Sequence, residues 1–208
     1  MDFKSAQRES DQRPKPVDVA LWPPELSAIA ADMNGKPINV HKLMANNPAL
    51  LNAWWTFRNH SVTGGTLGLR KAELLILRVG VHMNSWYEWG SHVDRALKLG
   101  IDIDEIHRVL EPDTLEHWPT DDAALLRAVD ELTRDHSIQA KTLTSLEQHH
   151  SNAQIMDLIA IHGMYLILAG MIKTWGLTLD ADVAERIAKH TDEASFLVAA
   201  RCFGKDLN

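Results

Sequence analysis

Apolar positions recur at helical spacing along nearly the whole chain, and no segment alternates with period two. That pattern predicts an all-α protein with essentially no sheet. Asn47 before Pro48 reads as an N-cap followed by proline at the first helical position. The helix it opens carries Leu50, Leu51, Trp54, Trp55 and Phe57. Ser61 to Gly68, with its paired glycines, reads as a loop. From about 69 to 83 the apolar residues Leu69, Leu74, Leu75, Ile76, Leu77, Val79, Val81 and Met83 cover almost the whole circumference, as in a central, buried helix. Asn84 or Ser85 caps the next helix, which ends at Gly100. A short helix from about Asp104 is closed by Pro112, and Thr120 opens another with Asp121 and Asp122 at its positive end. A helix from about 140 to 150 follows, then a long apolar one from near Asn152 to Gly176, then one or two terminal helices from about Asp182. The total is a bundle of about seven to nine helices. ELLILRVGV…ALKLGID and QIMDLIAIHG…IKTWGLTLD echo each other faintly; an old helix-pair duplication and mere likeness of buried helices both account for it.

At 208 residues the chain has the length of one ordinary domain with tails, and its 45% hydrophobic content suits a globular core. Residues 1–24 read as a flexible arm, broken by Pro14, Pro16, Pro23 and Pro24, with Trp22 pinning its end to the body or to a neighbouring subunit. Residues 25–180 form the main helical domain and 181–208 a C-terminal helical extension. A net charge of −7 argues against a nucleic-acid partner, although a local site can differ in sign from the whole. The polar start lacks the apolar stretch of a secretory signal. Asp157 and His162 interrupt the longest apolar segment, so it reads as a buried helix and not a membrane span. The expected location is the cytoplasm, with no membrane partner. The one cysteine, Cys202, excludes an intramolecular disulfide, a CxxC pair and a cysteine-rich metal site.

Candidate chemistry gathers at 85–92. At about 100° per residue, Ser85, Glu88 and His92 share one helix face, beside an apolar stripe of Trp86, Trp89, Val93 and Ala96. The trio is expected at the edge of the buried face. Tyr87 points away and ranks lower as a pocket residue. Glu88 and His92, at i and i+4, are placed to hydrogen-bond each other, and a carboxylate beside apolar surface has its pKa raised toward neutrality. Glu73 is the one acid near the start of the preceding apolar helix.

This arrangement resembles the carboxymuconolactone decarboxylase/alkylhydroperoxidase D-like (AhpD-like) superfamily. Its members carry a glutamate, eleven residues, then Cys-x-x-Cys-x-x-x-His; here Glu73 is followed at that spacing by Ser85, Glu88 and His92. LGLRKAELLILRVGVHMNS is similar to the family's flanking stretch, and the resemblance covers roughly residues 45 to 180. Ser85 and Glu88 stand where the two cysteines would be, so thiol peroxidase chemistry is expected to be lost. The decarboxylase branch implies a cofactor-independent, metal-free lyase or isomerase acting by acid/base chemistry on a small unsaturated carboxylic acid or lactone, as in the catabolism of aromatic compounds. His92 is then the main proton donor or acceptor, Glu88 its orienting and charge-balancing partner, and Glu73 a second relay carboxylate. The resemblance also implies a homo-oligomer, a trimer or a multiple of one. Two other functions stay open: a peroxidase-family oxidoreductase relative without thiol activity, and a non-enzymatic helical oligomer that binds an apolar ligand.

Each candidate has a structural alternative. Ser85 has no Ser-His-Asp set and serves equally as a helix cap. Trp54, Trp55, Trp86 and Trp89 are either plain core or the walls of a substrate pocket. His82, His92, Glu73 and Glu88 could in principle share a metal, but no compact ligand motif supports it. His149 and His150 read as a solvated helix end, and His162 as a hydrogen-bonded core histidine. SVTGGTLG lacks the Lys-Ser/Thr ending of a phosphate-binding loop.

Overall fold

A computed structural model of the protein describes residues 13–111 and 115–206, the side chains as far as 203. These residues form eleven α-helices and three 3₁₀ turns, with no strand. The helices are α1 (Ser27–Asp32), α2 (Asn39–Met44), α3 (Pro48–Val62), α4 (Leu69–His82), α5 (Trp86–Lys98), α6 (Ile103–Arg108), α7 (Thr120–Asp135), α8 (Ala140–Glu147), α9 (Asn152–Trp175), α10 (Ala181–Ile187) and α11 (Glu193–Asp206). The count exceeds the seven to nine expected because α1, α2, α6 and α10 are only one or two turns long. Such elements are too short to show a hydrophobic period and are held by tertiary packing.

The longer elements start and stop where their capping residues dictate. The Asn47 side chain accepts from Leu50 N at 3.1 Å, with Pro48 in the first turn of α3. Ser151 and Gln154 close a reciprocal capping box on α9, and Gly176 ends it at φ 63°. Asp102 caps α6 through Asp104 N; Pro112, expected to close that helix, lies outside the described residues. The α3–α4 loop is shorter than expected, because α3 continues to Val62. Asp157 of α9 ties the loop down: its carboxylate accepts from Thr66 N, Thr66 Oγ1 and His60 Nε2 at 2.6–2.7 Å. Gly65, at φ 49°, lies against that carboxylate, where a Cβ would collide with it.

Helix α4 is the axis of the molecule and packs against α5, α7, α9 and α11. Residues Ala72 through Val81 are all buried, as the apolar circumference predicts. Leu74, Leu75, Leu77, Val79 and Val81 are completely inaccessible, each stabilising the fold by about 1.5–3 kcal/mol. Helix α9 is the one helix, among the described residues, long and apolar enough to cross a membrane, yet 56% of its most apolar window is buried inside the protein, as in a core helix. Met83–Ser85 turns the chain from α4 into α5, and the two helices pair antiparallel: Gly80 faces Trp89, while Glu73 faces His92. That pairing positions the site.

Candidate active site

Glu73 sits one turn into α4, and Glu88 and His92 sit one turn apart on α5. All three are buried, at 1%, 2% and 5% exposure. The expectation that they lie at the edge of the apolar face is therefore corrected: α9 and α2 cover the face that a lone helical wheel leaves open. The expected Glu88–His92 bond is also absent. His92 Nδ1 instead lies 2.6 Å from Glu73 Oε2. A carboxylate only accepts, so Nδ1 carries the proton and Nε2 keeps a free lone pair. The i,i+4 spacing puts Glu88 and His92 on one side of α5, but the antiparallel partner helix supplies the carboxylate that meets the ring. Glu73 thus orients and balances His92, the role expected of Glu88. Arg95 completes the arrangement, donating from Nε to Glu73 Oε1 at 2.8 Å and from Nη2 to the Val62 carbonyl at 3.1 Å.

Glu88 is different. Neither carboxyl oxygen has a hydrogen-bond partner among the described residues. Burial pushes its pKa up to about 8, against a lowering pull from the Ser85 hydroxyl and the Lys173 ammonium. The hydroxyl acts by proximity, because Ser85 Oγ makes no hydrogen bond of standard geometry. Burial raises Glu73 too, but His92 and Arg95 outweigh it and hold that carboxyl below the usual range. Burial, helped by Arg95, keeps the His92 imidazolium below its ordinary pKa despite the raising pull of Glu73. The usual order of a carboxyl and an imidazole is thereby reversed. Near pH 7 Glu88 carries a proton and His92 is neutral, so one cavity holds a proton donor and a proton acceptor.

That cavity has a volume of about 60 Å³, room for about two water molecules. Glu88, His92, Tyr87, Ser91, Arg95, Arg58, His41 and Tyr165 line it with a set of aliphatic side chains. A lactone acid is larger than that volume; the cavity is partly open to solvent, and Arg58 and Arg95 on its wall are themselves partly exposed. Four larger cavities, of about 440, 680, 210 and 220 Å³, lie elsewhere; none is lined by His92 or Glu88, although the last is lined by Glu73 and Arg95, and volume alone does not mark the chemistry.

The other sequence candidates scatter. Ser85 occupies the cap position of α5 but its side chain makes no capping bond, and it lines the 440 Å³ cavity. None of the four tryptophans lines the cavity beside His92. Trp89 is completely buried, stacks on Phe196 at 5.2 Å and donates to Thr191 Oγ1 at 3.3 Å. Trp86 lines the 440 Å³ cavity and packs on Phe196. Trp55 donates to Asp32 Oδ2 at 2.7 Å, while Trp54 packs edge-on against Phe57. Tyr87, ranked low because it points away from the trio, does line the cavity; its hydroxyl is occupied, donating to Asp180 Oδ2 at 2.7 Å and accepting from Val40 N at 3.1 Å. His150, expected to be solvated, is buried at 7% exposure. His162 is a core histidine 2.9 Å from Thr133 Oγ1. No group of three or more His, Cys, Asp or Glu suited to a metal ion occurs among the described residues.

Five polar cavity residues escaped the sequence reading: Ser91, Arg95, His41, Arg58 and Tyr165. Arg95 was within reach of it, since it lies three residues after His92 and seven after Glu88 on the same helix face. His41, Arg58 and Tyr165 come from α2, α3 and α9, and no local spacing links them to α5. Tyr165 packs edge-on to His92 at 4.9 Å.

Residues 48–131 match the model of the carboxymuconolactone decarboxylase family. No curated protein matches the sequence. Two solved structures share the fold. One is an uncharacterized peroxidase-related protein from Silicibacter sp. TM1040, with TM-score 0.69 and 18% identity, covering 83% of this chain and 95% of that one. The other, described as an alkylhydroperoxidase AhpD core and an uncharacterized peroxidase-related protein, is from Ralstonia eutropha JMP134, with TM-score 0.71 and 16% identity, covering 82% and 93%. At these identities the likeness is one of fold. The sequence similarity is therefore to the carboxymuconolactone decarboxylase family, over the helices that carry Glu73, Glu88 and His92, and the likeness to the two solved structures is one of fold over most of the chain.

Proposed function

We propose that this carboxymuconolactone decarboxylase-like protein is a cofactor-independent lyase or isomerase acting on a small unsaturated carboxylic acid or lactone. One observation carries the reading: the imidazole of His92, held through Nδ1 by Glu73, shares a cavity with the unpartnered carboxyl of Glu88, whose burial favours the protonated form near pH 7. In a decarboxylation the bond to the departing carboxylate breaks, carbon dioxide leaves, and the electron pair stays in the conjugated system as a dienolate. The Glu88 proton then moves to carbon, and solvent reprotonates Glu88. In an isomerisation His92 Nε2 removes a proton next to a carbonyl, Glu88 donates one at the far end of the conjugated system, and the imidazolium returns its proton to Glu88. The first route needs a general acid, and the second a general acid and a general base in one site.

The test is spectroscopic. Candidate lactones and muconates are incubated with the protein and their ultraviolet absorbance is followed. Decay above a heat-killed control, abolished in His92→Ala, supports the enzyme; flat absorbance across the panel supports a mere ligand binder. Self-association belongs to the same reading. Met156, Ile159 and Ile167 are exposed along one side of α9, and Leu50 and Phe57 are exposed on α3; such apolar surface favours a second copy. Light scattering should give a mass well above 23.3 kDa, and a monomer would refute the homo-oligomer.

A further inference from the structure

Arg58 is out of place for a structural arginine. Its side chain is half-buried and its guanidinium lies over the Trp55 ring, 4.7 Å from the centroid. Its one hydrogen bond runs from Nη1 to the neighbouring Asn59 Oδ1, at 2.8 Å. It has no carboxylate partner among the described residues, in contrast to Arg70, Arg78, Arg95, Arg134 and Arg186; Arg108 and Arg127 have none either, but they lie away from the cavity that Arg58 lines. Arg95 lines the same cavity and leaves its Nη1 unused. Two guanidiniums line the cavity, and the one carboxyl that lines it is Glu88; the carboxylates of Glu73, Asp180 and Asp32 stand behind the lining, bonded to Arg95, Tyr87 and Trp55. His92, His41 and most of Glu88 are neutral near pH 7: burial drives the His41 pKa down to about 3. Burial lowers the Arg58 pKa, with Arg95 adding to it and Tyr165 and Asp32 pulling the other way; Asp32 acts from a distance and makes no salt bridge with the guanidinium. The lining itself therefore carries a net positive charge inside a chain of net charge −7. A partly desolvated cation without a partner is costly, and an anion repays it. The rest of the wall is aliphatic, from Ile38, Val40, Val62, Met164, Leu168 and Ile172. The anion such a site fits is therefore one carried on a hydrocarbon body.

We propose that Arg58, with Arg95 beside it, is the anchor for a substrate carboxylate at the cavity of His92 and Glu88, and that this carboxylate survives the reaction. The second half follows from charge. A guanidinium on the departing carboxylate would stabilise the ground state and oppose loss of carbon dioxide. The anchored group must be another one: the retained carboxylate of a diacid in a decarboxylation, or the single carboxylate of an unsaturated acid in an isomerisation. The inference rests on the Glu–His reading for the reaction but not for the binding.

Binding is tested without turnover. Acetate, crotonate and cis,cis-muconate are titrated calorimetrically into the whole protein, beside acetamide, crotonamide and muconamide. At least one acid is expected to bind, at least tenfold more tightly than its amide. Arg58→Gln should weaken that acid at least tenfold, and Arg58→Lys, which keeps the charge but loses the fork, by less. Circular dichroism establishes that the variants are folded; if Arg58→Gln is not, the acid–amide comparison in the wild type decides. The anchor is overturned if no acid binds, if acid and amide bind alike, or if folded Arg58→Gln keeps wild-type affinity. If the acids bind through Arg58 and none is turned over, the anchor stands and the lyase or isomerase reading falls. Turnover with an unchanged KM in Arg58→Gln would do the reverse.

Discussion

Two arginine–carboxylate–histidine clusters hang on α4. Towards its C-terminal end Arg78, Asp130 and His82 meet; towards its N-terminal end Arg95, Glu73 and His92 do. In the first, Arg78 is wholly buried and grips both oxygens of Asp130, at 2.8 and 2.9 Å. Its Nη1 donates to the carbonyls of Val109 and Glu111, and Phe203 closes over it, 4.1 Å from ring centroid to guanidinium. In the second, Arg95 is partly exposed, His92 keeps Nε2 free, and the unpartnered Glu88 lies in the same cavity. Composition does not separate the clusters; completeness does. A network whose guanidinium is fully used locks helices together, and one with an unfilled valence beside a cavity is ready for a ligand.

The difference can be broken from the structural side first. Arg78→Met should destabilise the fold by about 3–5 kcal/mol, because it leaves Asp130 buried without its cation. Denaturant melts measure this, and a loss below about 1 kcal/mol would show that the cluster is replaceable. On the functional side, His92→Ala should leave the fold intact and lower kcat by about 10²–10⁴ on the true substrate, the usual cost of a positioned acid/base group. A folded variant with near-normal kcat would remove His92 from the chemistry.

Glu88→Gln sharpens the contrast through pH. Burial pushes the pKa of the native carboxyl up to about 8, from 4.5 in the unfolded chain. Between those values the native state holds the extra proton, so the Glu88 contribution to stability is full below about 4.5 and declines as pH rises to about 8. The slope can reach ~1.4 kcal/mol per pH unit for one proton. Melts at pH 5.5 and 8.5 should show wild-type stability falling relative to Glu88→Gln; equal pH dependence in the two would contradict a proton held on Glu88. In activity the variant should lose less than His92→Ala and lose the alkaline limb near pH 8. The smallest effect belongs to Cys202, exposed on α11. Cys202→Ala should change nothing, and neither protein should consume an organic peroxide with a dithiol reductant above a heat-killed control, since Ser85 and Glu88 stand where the thiols would be.

The sequence by itself determined the helical class, the cap at Asn47, the stop at Gly176 and the burial of α4, and the family resemblance added Glu73 to the site of Glu88 and His92. Each of these is a local property: a period, a cap, a spacing along one or two adjacent helices. Only the tertiary structure decided which carboxylate meets His92, because an i,i+4 spacing places two side chains on one face without saying what the next helix offers that face. It also decided that Trp89 and Trp55 are packing and not pocket, since an indole reads the same in both roles. Arg58, His41 and Tyr165 reach the cavity from helices far apart in the chain. No pattern along the sequence records that convergence, because long-range packing is what brings their side chains to one point.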